Sequence, residues 1–220
     1  MNNFANVEKI VGYSFKNKKL LENAFVHSSY ANETGKESNE RLEFLGDSVL
    51  ELICTEELFA AFDGTEGKLT KYRASLVSEN ALSFVVDELK LHEYLLRGKG
   101  ERKKAPTSAE KCDLYEAIIG ALYLDGGYEV AKKFFDKTHG ELISKLKTDG
   151  YTDNAKNALQ EMLPKERITY STTKHGEDHS PIYKSTVIIN GVNMGYGEGT
   201  NKRTAEQKAA QNTINMIKKA

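Results

Sequence analysis

The stretch that decides the fold of this chain is NERLEFLGDSVL, residues 39–50. On a helix, at about 100° per residue, its acids fall on one side and its apolar residues on the other. The acids are Glu40, Glu43 and Asp47, and the apolar side includes Leu42, Leu45, Val49, Leu52 and Ile53. Glu51 lies on the acidic stripe as well, and Phe44 and Leu50 border it. The acidic side either faces solvent or binds a cation that offsets its self-repulsion.

A second helix, predicted over DLYEAIIGALYL at residues 113–124, carries the other informative acids. It is apolar on every side except at Asp113 and Glu116, which is typical of a buried helix. Burying an unpaired carboxylate costs several kcal/mol. The two acids therefore either meet counter-charges, such as Arg41 or Arg73, or line a water-filled cleft.

Together the two helices offer up to five carboxylates and no set of His or Cys ligands. Hard oxygen ligands in that number favour Mg²⁺ or Mn²⁺ over zinc. Such clusters commonly serve the hydrolysis of phosphate esters, because the metal activates a water and stabilises the developing charge. His27, beside Ser and Tyr in FVHSSY, could instead act as a general base, but we interpret it as a hydrogen-bonded packing residue.

The composition limits the class of protein. The chain has 220 residues and a formal net charge of -1, which as an average argues against a nucleic-acid partner. Residues 1–150, however, hold 21 Lys and Arg against 25 Asp and Glu, whereas residues 151–220 hold 10 against 7. No apolar run approaches the roughly 20 residues of a membrane span, and Cys54 and Cys112 are typical of free thiols in a reducing compartment. We therefore expect a cytoplasmic protein without a membrane span.

The hydrophobic period changes once along the chain and predicts two domains. Residues 1–147 are predicted to be helical, with a polar, glycine-containing linker after them. Residues 154–220 contain three β-branched and tyrosine-rich segments between two helical ones. Asn190 and Gly191 join the last two segments as a two-residue hairpin. The sequence predicts an all-α domain followed by a small α+β domain of order α-β-β-β-α.

The stretch NERLEFLGDSVL is similar to the signature of the bacterial ribonuclease III family. The resemblance continues through residues 13–30, 69–83 and 113–127, and the α-β-β-β-α tail resembles the family's double-stranded RNA-binding domain. It implies a homodimeric nuclease that cuts both strands of an RNA duplex with Mg²⁺, or with Mn²⁺ as a substitute. The implied products have 5′-phosphate and 3′-hydroxyl ends with two-nucleotide 3′ overhangs. The implied substrates include ribosomal RNA precursors.

The resemblance also implies roles for individual residues. It implies a metal-binding set of four carboxylates: Glu43, Asp47, Asp113 and Glu116. Asp47 and Glu116 would be the catalytic pair, most closely tied to hydrolysis. Glu40 corresponds to an acid at the family's dimer interface and cleavage site, and Phe44 resembles the aromatic that plugs the partner subunit. A two-fold dimer would present two cleavage sites across one duplex.

The tail offers candidate RNA contacts. Lys202 and Arg203 fall in the first turn of the last helix, where positive charge is unfavourable unless an anion binds. They either face solvent or, like the family's basic cluster, contact RNA phosphates. The resemblance implies further contacts by Gln160 and Glu161 of the first tail helix and by His179 of the loop at residues 176–181, which in the family inserts into a minor groove. Without the resemblance, Gln160 and Glu161 would be ordinary surface residues.

The chain departs from the family's pattern in three places. Glu110-Lys111-Cys112 stands where the family often has an apolar Leu-Ala before the position of Asp113. The loop GKGERKKAPTSAE, residues 98–110, lacks the family's common glycine pair. The first helix of the tail is shortened before the first strand. The conformation of the loop therefore cannot be carried over from the family.

These observations predict a homodimeric, Mg²⁺-dependent endoribonuclease specific for double-stranded RNA. The alternative from another class is a duplex-RNA-binding protein whose nuclease domain serves only for dimerisation. That alternative predicts a lost carboxylate, whereas all the expected acids are present. A metal phosphohydrolase for small substrates would use the acids but would leave the basic tail without a purpose.

Overall fold

Eight α-helices build the first unit of the chain, Met1–Lys147, in the part that the structure describes. The structure is a computed structural model, and it describes residues 4–149, 155–176 and 181–219. The helices are α1 (Phe4–Val11), α2 (Lys18–Ala24), α3 (Ser28–Thr34), α4 (Glu40–Ala61), α5 (Glu66–Leu76), α6 (Glu79–Glu88), α7 (Ser108–Gly126) and α8 (Tyr128–Asp149). Two 3₁₀ turns, Leu91–Tyr94 and Glu101–Lys103, lie between α6 and α7. The predicted all-α class of this part is confirmed.

The apolar period at residues 69–95 is divided between helices. α5 ends at Leu76 and α6 begins two residues beyond Val77. The Ser78 hydroxyl caps α6 by accepting a hydrogen bond from the Ala81 N–H at 3.3 Å. The period alone therefore predicts the helical class of this segment but not its break.

α4 and α7 make the most extensive contact between helices of this unit. Leu50 and Ile53 of α4 and Leu114 and Ile118 of α7 are fully buried there. The prediction of a buried α7 is confirmed. Leu52, which the sequence pattern assigns to the apolar side of α4, is 58% exposed. The apolar side of α4 is wider than the face that its neighbours cover.

The second unit, Thr148–Ala220, packs a three-stranded sheet against helices. Its elements are α9 (Ala155–Met162), β1 (Ile168–His175), β2 (Ile182–Ile189), β3 (Val192–Gly199) and α10 (Lys202–Lys219). The strands are antiparallel and in the order β1-β2-β3. The predicted α-β-β-β-α order is confirmed.

The turn between β2 and β3 has the predicted geometry. Asn190 and Gly191 both have positive φ, 51° and 83°, as the favoured two-residue hairpin turn requires. On β3, Gly197 lets α10 approach closely, because a Cβ there would lie 2.3 Å from the Ala209 nitrogen. The core between sheet and helices is formed by Ala155, Leu159, Val187, Ala209, Ala210 and Ile214.

Two further predictions concern membranes and thiols. Over the described ranges, no helix is both long and apolar enough to cross a membrane. Cys54 is buried, Cys112 is partly buried, and both are free.

Candidate functional site

α4 and α7 bring three of the predicted carboxylates together. α4 carries Glu43 in its first turn, and α7 carries Asp113 and Glu116. One oxygen of each of these three carboxylates lies within 4.8 Å of the other two. All three side chains are partly buried. We call this group, Glu43, Asp113 and Glu116, the carboxylate cluster.

Two glycines allow the helices to approach closely enough to form the cluster. A Cβ at Gly46 of α4 would lie 1.8 Å from the carbonyl oxygen of Glu116. A Cβ at Gly120 of α7 would lie 2.2 Å from the carbonyl oxygen of Leu42. Real Cβ atoms do not make contacts this short, so the two backbones touch here without intervening side chains. The separation of the carboxylates is therefore set by the main chain.

Glu116 has the most perturbed acidity in the cluster. Burial raises the pKa of its carboxyl group, which reaches about 7. The hydrogen bond that it accepts from the Cys112 thiol acts in the opposite direction, with a distance of 3.4 Å from Sγ to Oε1. The negative charges of Asp47, Asp113 and Glu43 also raise this pKa. Without a cation, Glu116 is therefore partly protonated near neutral pH.

The other two carboxyl groups are shifted in the same direction. Burial raises the pKa of Glu43, and the charges of Asp113, Glu40 and Asp47 add to the effect. Burial likewise raises the pKa of Asp113, although the charge of His27 acts to lower it. A donor set of carboxylate oxygens with unrelieved mutual repulsion fits a hard divalent cation such as Mg²⁺.

The remaining predicted acids lie beside the cluster. Asp47 is exposed on α4 and is not among the three carboxylates that meet within 4.8 Å, although its charge acts on Glu43 and Glu116. Glu40 is exposed and accepts a hydrogen bond from the Ser38 hydroxyl at 2.6 Å. Both acids are therefore open to solvent at the edge of the cluster.

The two arginines considered as counter-charges have other partners. Arg41 Nη1 lies 3.4 Å from Glu37 Oε1, one turn earlier in the chain. Arg73 Nη1 donates a hydrogen bond to the Thr55 hydroxyl at 3.0 Å. An ordinary ion pair with Arg41 or Arg73 therefore does not account for the buried acids of α7.

Phe44 lies next to the cluster and is 80% exposed. Two other large apolar side chains of α4, Leu52 and Phe59, are also exposed. A surface of this kind on one helix is typical of an interface with another protein.

Sequence reasoning missed a buried ion pair that lies next to the cluster. Arg97 and Glu110 are both buried, and Arg97 Nε lies 2.9 Å from Glu110 Oε1. His27 Nε2 is 3.7 Å from the same oxygen, while His27 Nδ1 accepts a hydrogen bond from the Ser29 N–H as the cap of α3. Thr107 and Glu110 form a capping box at the start of α7. The Thr-x-x-Glu spacing was the available sequence signal for this helix start.

The predicted RNA contacts of the second unit lie on two helices that pack together. Lys202 and Arg203 are exposed in the first turn of α10, and Gln160 and Glu161 are exposed near the end of α9. His179 lies outside the described residues. All of the predicted RNA-contacting residues that the structure describes are therefore accessible to a ligand.

Glu206 of α10 is a second residue that the sequence reasoning missed. It is buried, and its carboxylate lies 2.6 Å from Lys156 Nζ and 3.9 Å from Lys202 Nζ. It also accepts a hydrogen bond from the Thr172 hydroxyl at 3.2 Å. Glu206 therefore links α9, β1 and the first turn of α10, where Lys202 lies.

Two family models match the chain. Residues 17–142 match the family described as Ribonuclease-III-like, and residues 155–217 match the Double-stranded RNA binding motif.

Curated relatives and solved structures agree with these matches. A Listeria innocua protein named Ribonuclease 3 is 39% identical over 99% of both chains. A Clostridium perfringens protein of the same name is 40% identical, over 98% of this chain and 94% of its own. A crystal structure of the nuclease domain of ribonuclease III from Campylobacter jejuni is 38% identical, with a TM-score of 0.58 over 66% of this chain and 96% of that one. A second structure of that domain, 37% identical over 62% of this chain and 98% of its own with a TM-score of 0.58, describes flexibility in a region involved in dimer formation.

Proposed function

The chain belongs to the ribonuclease III family, and we propose that it cuts double-stranded RNA at the carboxylate cluster with the help of a divalent metal ion. As a member of this family it is an endoribonuclease with a double-stranded RNA-binding domain. The observation that carries the proposal is the meeting of Glu43, Asp113 and Glu116 at the glycine contact of α4 and α7.

The proposed catalytic domain is residues 1–147 and the proposed RNA-binding domain is residues 154–220. The family matches at residues 17–142 and 155–217 support this division. A change from helical to sheet-forming sequence supports it independently.

The proposed metal-binding residues are Glu43, Asp47, Asp113 and Glu116, and the proposed ion is Mg²⁺, with Mn²⁺ as a substitute. Such an ion supplies an activated water and stabilises charge on the phosphate. Glu116 would hold the cation as a carboxylate, and it would have to lose a proton to do so near neutral pH, since its pKa lies at about 7 without the ion. The Cys112 thiol donates to Glu116 and fixes one carboxylate oxygen. Asp47 is exposed and its charge acts on Glu116, which supports its proposed place with Glu116 in the catalytic pair.

The proposed active form is a homodimer. The 80% exposure of Phe44 supports an apolar interface at this point, and Glu40 lies one turn earlier on the same helix. A two-fold axis near these residues would present the cluster twice to one duplex. Two cuts on opposite strands then give 5′-phosphate and 3′-hydroxyl ends with the two-nucleotide 3′ overhangs of the family.

The proposed RNA-binding residues are Gln160, Glu161, His179, Lys202 and Arg203. The first turn of α10 supports a phosphate contact there, because Lys202 and Arg203 meet its free backbone N–H groups and the positive end of its dipole. We further propose that the protein processes ribosomal RNA precursors and other transcripts in the cytoplasm.

The test incubates the purified chain with matched single- and double-stranded RNA in Mg²⁺ or in EDTA. We expect Mg²⁺-dependent cleavage of the duplex only. A Glu116→Gln variant should bind duplex RNA like the parent and cut it at least about a hundredfold more slowly, because one metal ligand is neutralised. Glu88→Gln, which neutralises an exposed acid at the end of α6, is the matched control and should cut normally.

The same experiment separates the alternatives. Duplex binding without cleavage would support the RNA-binding scaffold and refute the enzyme. Undiminished cutting by Glu116→Gln would refute the role of the cluster while leaving the nuclease activity standing.

A further inference from the structure

We propose that Arg97 and Glu110 form a positioning ion pair, which fixes a basic loop against the helix that carries Asp113 and Glu116. We define the basic loop as residues 97–104, RGKGERKK. The inference rests on the proposed function, because it concerns how the nuclease holds its substrate.

The ion pair is bidentate and almost closed to solvent. Arg97 is 4% exposed and Glu110 is 9% exposed. Arg97 Nε donates to one carboxylate oxygen of Glu110 at 2.9 Å, and Arg97 Nη2 donates to the other at 3.1 Å. Two parallel hydrogen bonds of this kind fix direction as well as distance. A lysine could keep the charge but not the geometry.

Arg97 also closes the basic loop on itself. Its Nη1 donates to the carbonyl oxygen of Lys104 at 2.6 Å, so one guanidinium joins the first and last residues of the loop. Arg102 donates in turn from Nε to the carbonyl oxygen of Arg97. The Arg97 guanidinium therefore anchors the end of the loop at Lys104, whereas Arg102 bonds to the Arg97 main chain.

Glu110 connects this loop to the start of α7. Its carboxylate accepts a hydrogen bond from the Thr107 N–H at 2.7 Å, as part of the capping box. Burial would raise the pKa of Glu110, but the Thr107 N–H and the Arg97 guanidinium outweigh it and lower the pKa. Glu110 therefore carries a negative charge three residues before Asp113.

The first half of the loop has a separate attachment. The Gly98 N–H donates to the Ser29 hydroxyl at 2.9 Å, and the Lys99 N–H donates to Glu33 at 2.8 Å. These contacts hold residues 98 and 99 on α3 without the ion pair. The 3₁₀ turn also bonds back to the Gly98 carbonyl through the Glu101 and Arg102 N–H groups. Loss of the pair should therefore loosen the Lys104 end of the loop and leave residues 98–102 in place.

The end of the loop that the pair anchors is also the part richest in exposed cations. Arg102, Lys103 and Lys104 are all exposed. Cations at fixed positions attract RNA phosphates, and each phosphate neutralised adds to the salt dependence of binding. By anchoring the Lys104 end of the loop beside the start of α7, the pair would keep these cations where they strengthen RNA binding near the carboxylate cluster.

The experiment compares Arg97→Lys and Glu110→Gln with the parent enzyme. Glu110→Gln keeps an oxygen for the capping box, and Arg97→Lys keeps the charge, so at least one variant should fold normally, as circular dichroism would check. The matched control is Lys111→Met, which breaks the Lys111–Asp87 pair on the same turn of α7 without touching the loop.

We expect both variants to raise KM for duplex RNA about tenfold, because cations that are displaced from the phosphates no longer contribute to binding. The salt dependence of duplex binding should become shallower. Single-turnover cleavage at saturating RNA and Mg²⁺ should stay at the parent rate, and trypsin should cut after Lys103 and Lys104 faster than in the parent. Lys111→Met should change none of these.

The opposite results would overturn the proposal. These are an unchanged KM and salt dependence in a folded variant, or a fall in the saturating rate with KM unchanged. Trypsin cleavage does not depend on activity. If the parent failed to cut duplex RNA, the proposed function would fail, while the proteolysis would still show whether the pair holds the loop.

Discussion

Glu116 illustrates how a residue's surroundings decide its chemistry. Its burial, together with three neighbouring acids, brings its pKa to about 7, whereas an ordinary glutamate is ionised throughout the physiological range. The proton and the metal ion compete for the same oxygen atoms. The charge state of Glu116 near neutral pH therefore depends on whether a cation is bound.

This competition predicts a pH-dependent metal affinity. Between pH 7 and pH 6 the apparent affinity for Mg²⁺ should fall about fivefold, because Glu116 must lose its proton to bind the ion. Above about pH 8 the affinity should level off. Calorimetric titration with Mg²⁺ at several pH values would measure this, and Glu116→Gln should remove most of the slope. A constant affinity for Mg²⁺ across this pH range would contradict the raised pKa of Glu116.

His139 predicts a pH effect on stability. Its ring is fully buried and stacks on Phe135 with centroids 4.3 Å apart, and burial lowers its pKa to about 4. The unfolded chain takes up this proton near the ordinary pKa of about 6.5, so it binds more protons than the folded chain between pH 6.5 and pH 4. The stabilisation is fully present above pH 6.5 and should decline by about 3 kcal/mol as the pH falls to 4.

Urea denaturation of the metal-free protein across this range would test the effect. The comparison is best made in a Glu116→Gln background, because the raised pKa of Glu116 acts in the opposite direction and favours the folded state as the pH falls. In that background His139→Gln should flatten the pH profile. An equal slope of unfolding free energy against pH in the proteins with and without His139 would refute the assignment of this effect to His139.

Single residues differ in how far the sequence predicts them. The spacing of Glu43, Asp113 and Glu116 on two helices was sufficient to predict a cation site, because helical geometry fixes which side chains share a face. The Arg97–Glu110 pair was not predicted, because it joins a loop to a helix and has no periodic signal. Acidities were not predicted either, since they depend on burial by other elements.

At the scale of elements, the contact of α4 with α7 controls the site. Gly46→Ala would place a methyl group 1.8 Å from the carbonyl oxygen of Glu116, so the helices must separate. We expect a loss of stability of about 1–3 kcal/mol, typical of an overpacked core, together with weaker Mg²⁺ binding. Thermal denaturation and metal titration would measure the two effects.

Gly140→Ala is the matched control for this prediction. Gly140 lies within α8, and a Cβ there would meet nothing within 4 Å. Because glycine is a poor helix former, this substitution should stabilise the protein by about 0.5–1 kcal/mol. Equal effects at positions 46 and 140 would mean that the close helix contact is unimportant.

The elements themselves were predictable to different degrees. The class and order of helices and strands followed from the apolar periods, and the Asn190-Gly191 turn followed from its residue types. The break at Ser78 and the glycine contact were not predicted. Both depend on single small residues within otherwise continuous hydrophobic patterns. The period of apolar residues does not reveal the role of such a residue.

At the scale of the whole molecule, the two parts of the chain have net charges of opposite sign. Residues 1–150 hold more acids than bases, and residues 151–220 hold more bases than acids. Residues 151–220 are basic and should bind duplex RNA without any metal ion. Replacing both Lys202 and Arg203 by Ala should weaken binding in EDTA and lower the slope of log affinity against log salt by about two. Fluorescence anisotropy with a labelled duplex would measure this, with Lys218→Ala, at the other end of α10, as the control. Unchanged binding would exclude the first turn of α10 as a phosphate site.

Self-association is a second property of the whole molecule, and it can be tested at Phe44. Phe44→Ala should weaken the dimer by about tenfold or more, because aromatic side chains at the centre of an interface contribute disproportionately. Phe84→Ala is the matched control, since that ring is also exposed but lies on α6. Sedimentation velocity over a range of concentrations would compare them. An unchanged dimer in Phe44→Ala would place the interface elsewhere.

The glycine contact of α4 and α7 also has a consequence for the protein while it is being synthesised. Gly46 meets Glu116, a residue far along the chain, so the carboxylates cannot assemble until α7 has been synthesised. A nascent chain that has released α1 to α6 from the ribosome contains Glu43 and Asp47 but not their partners. If the cluster is the active site as proposed, a nascent chain that ends before α7 would therefore be unable to cut the structured RNA of the ribosome to which it is tethered.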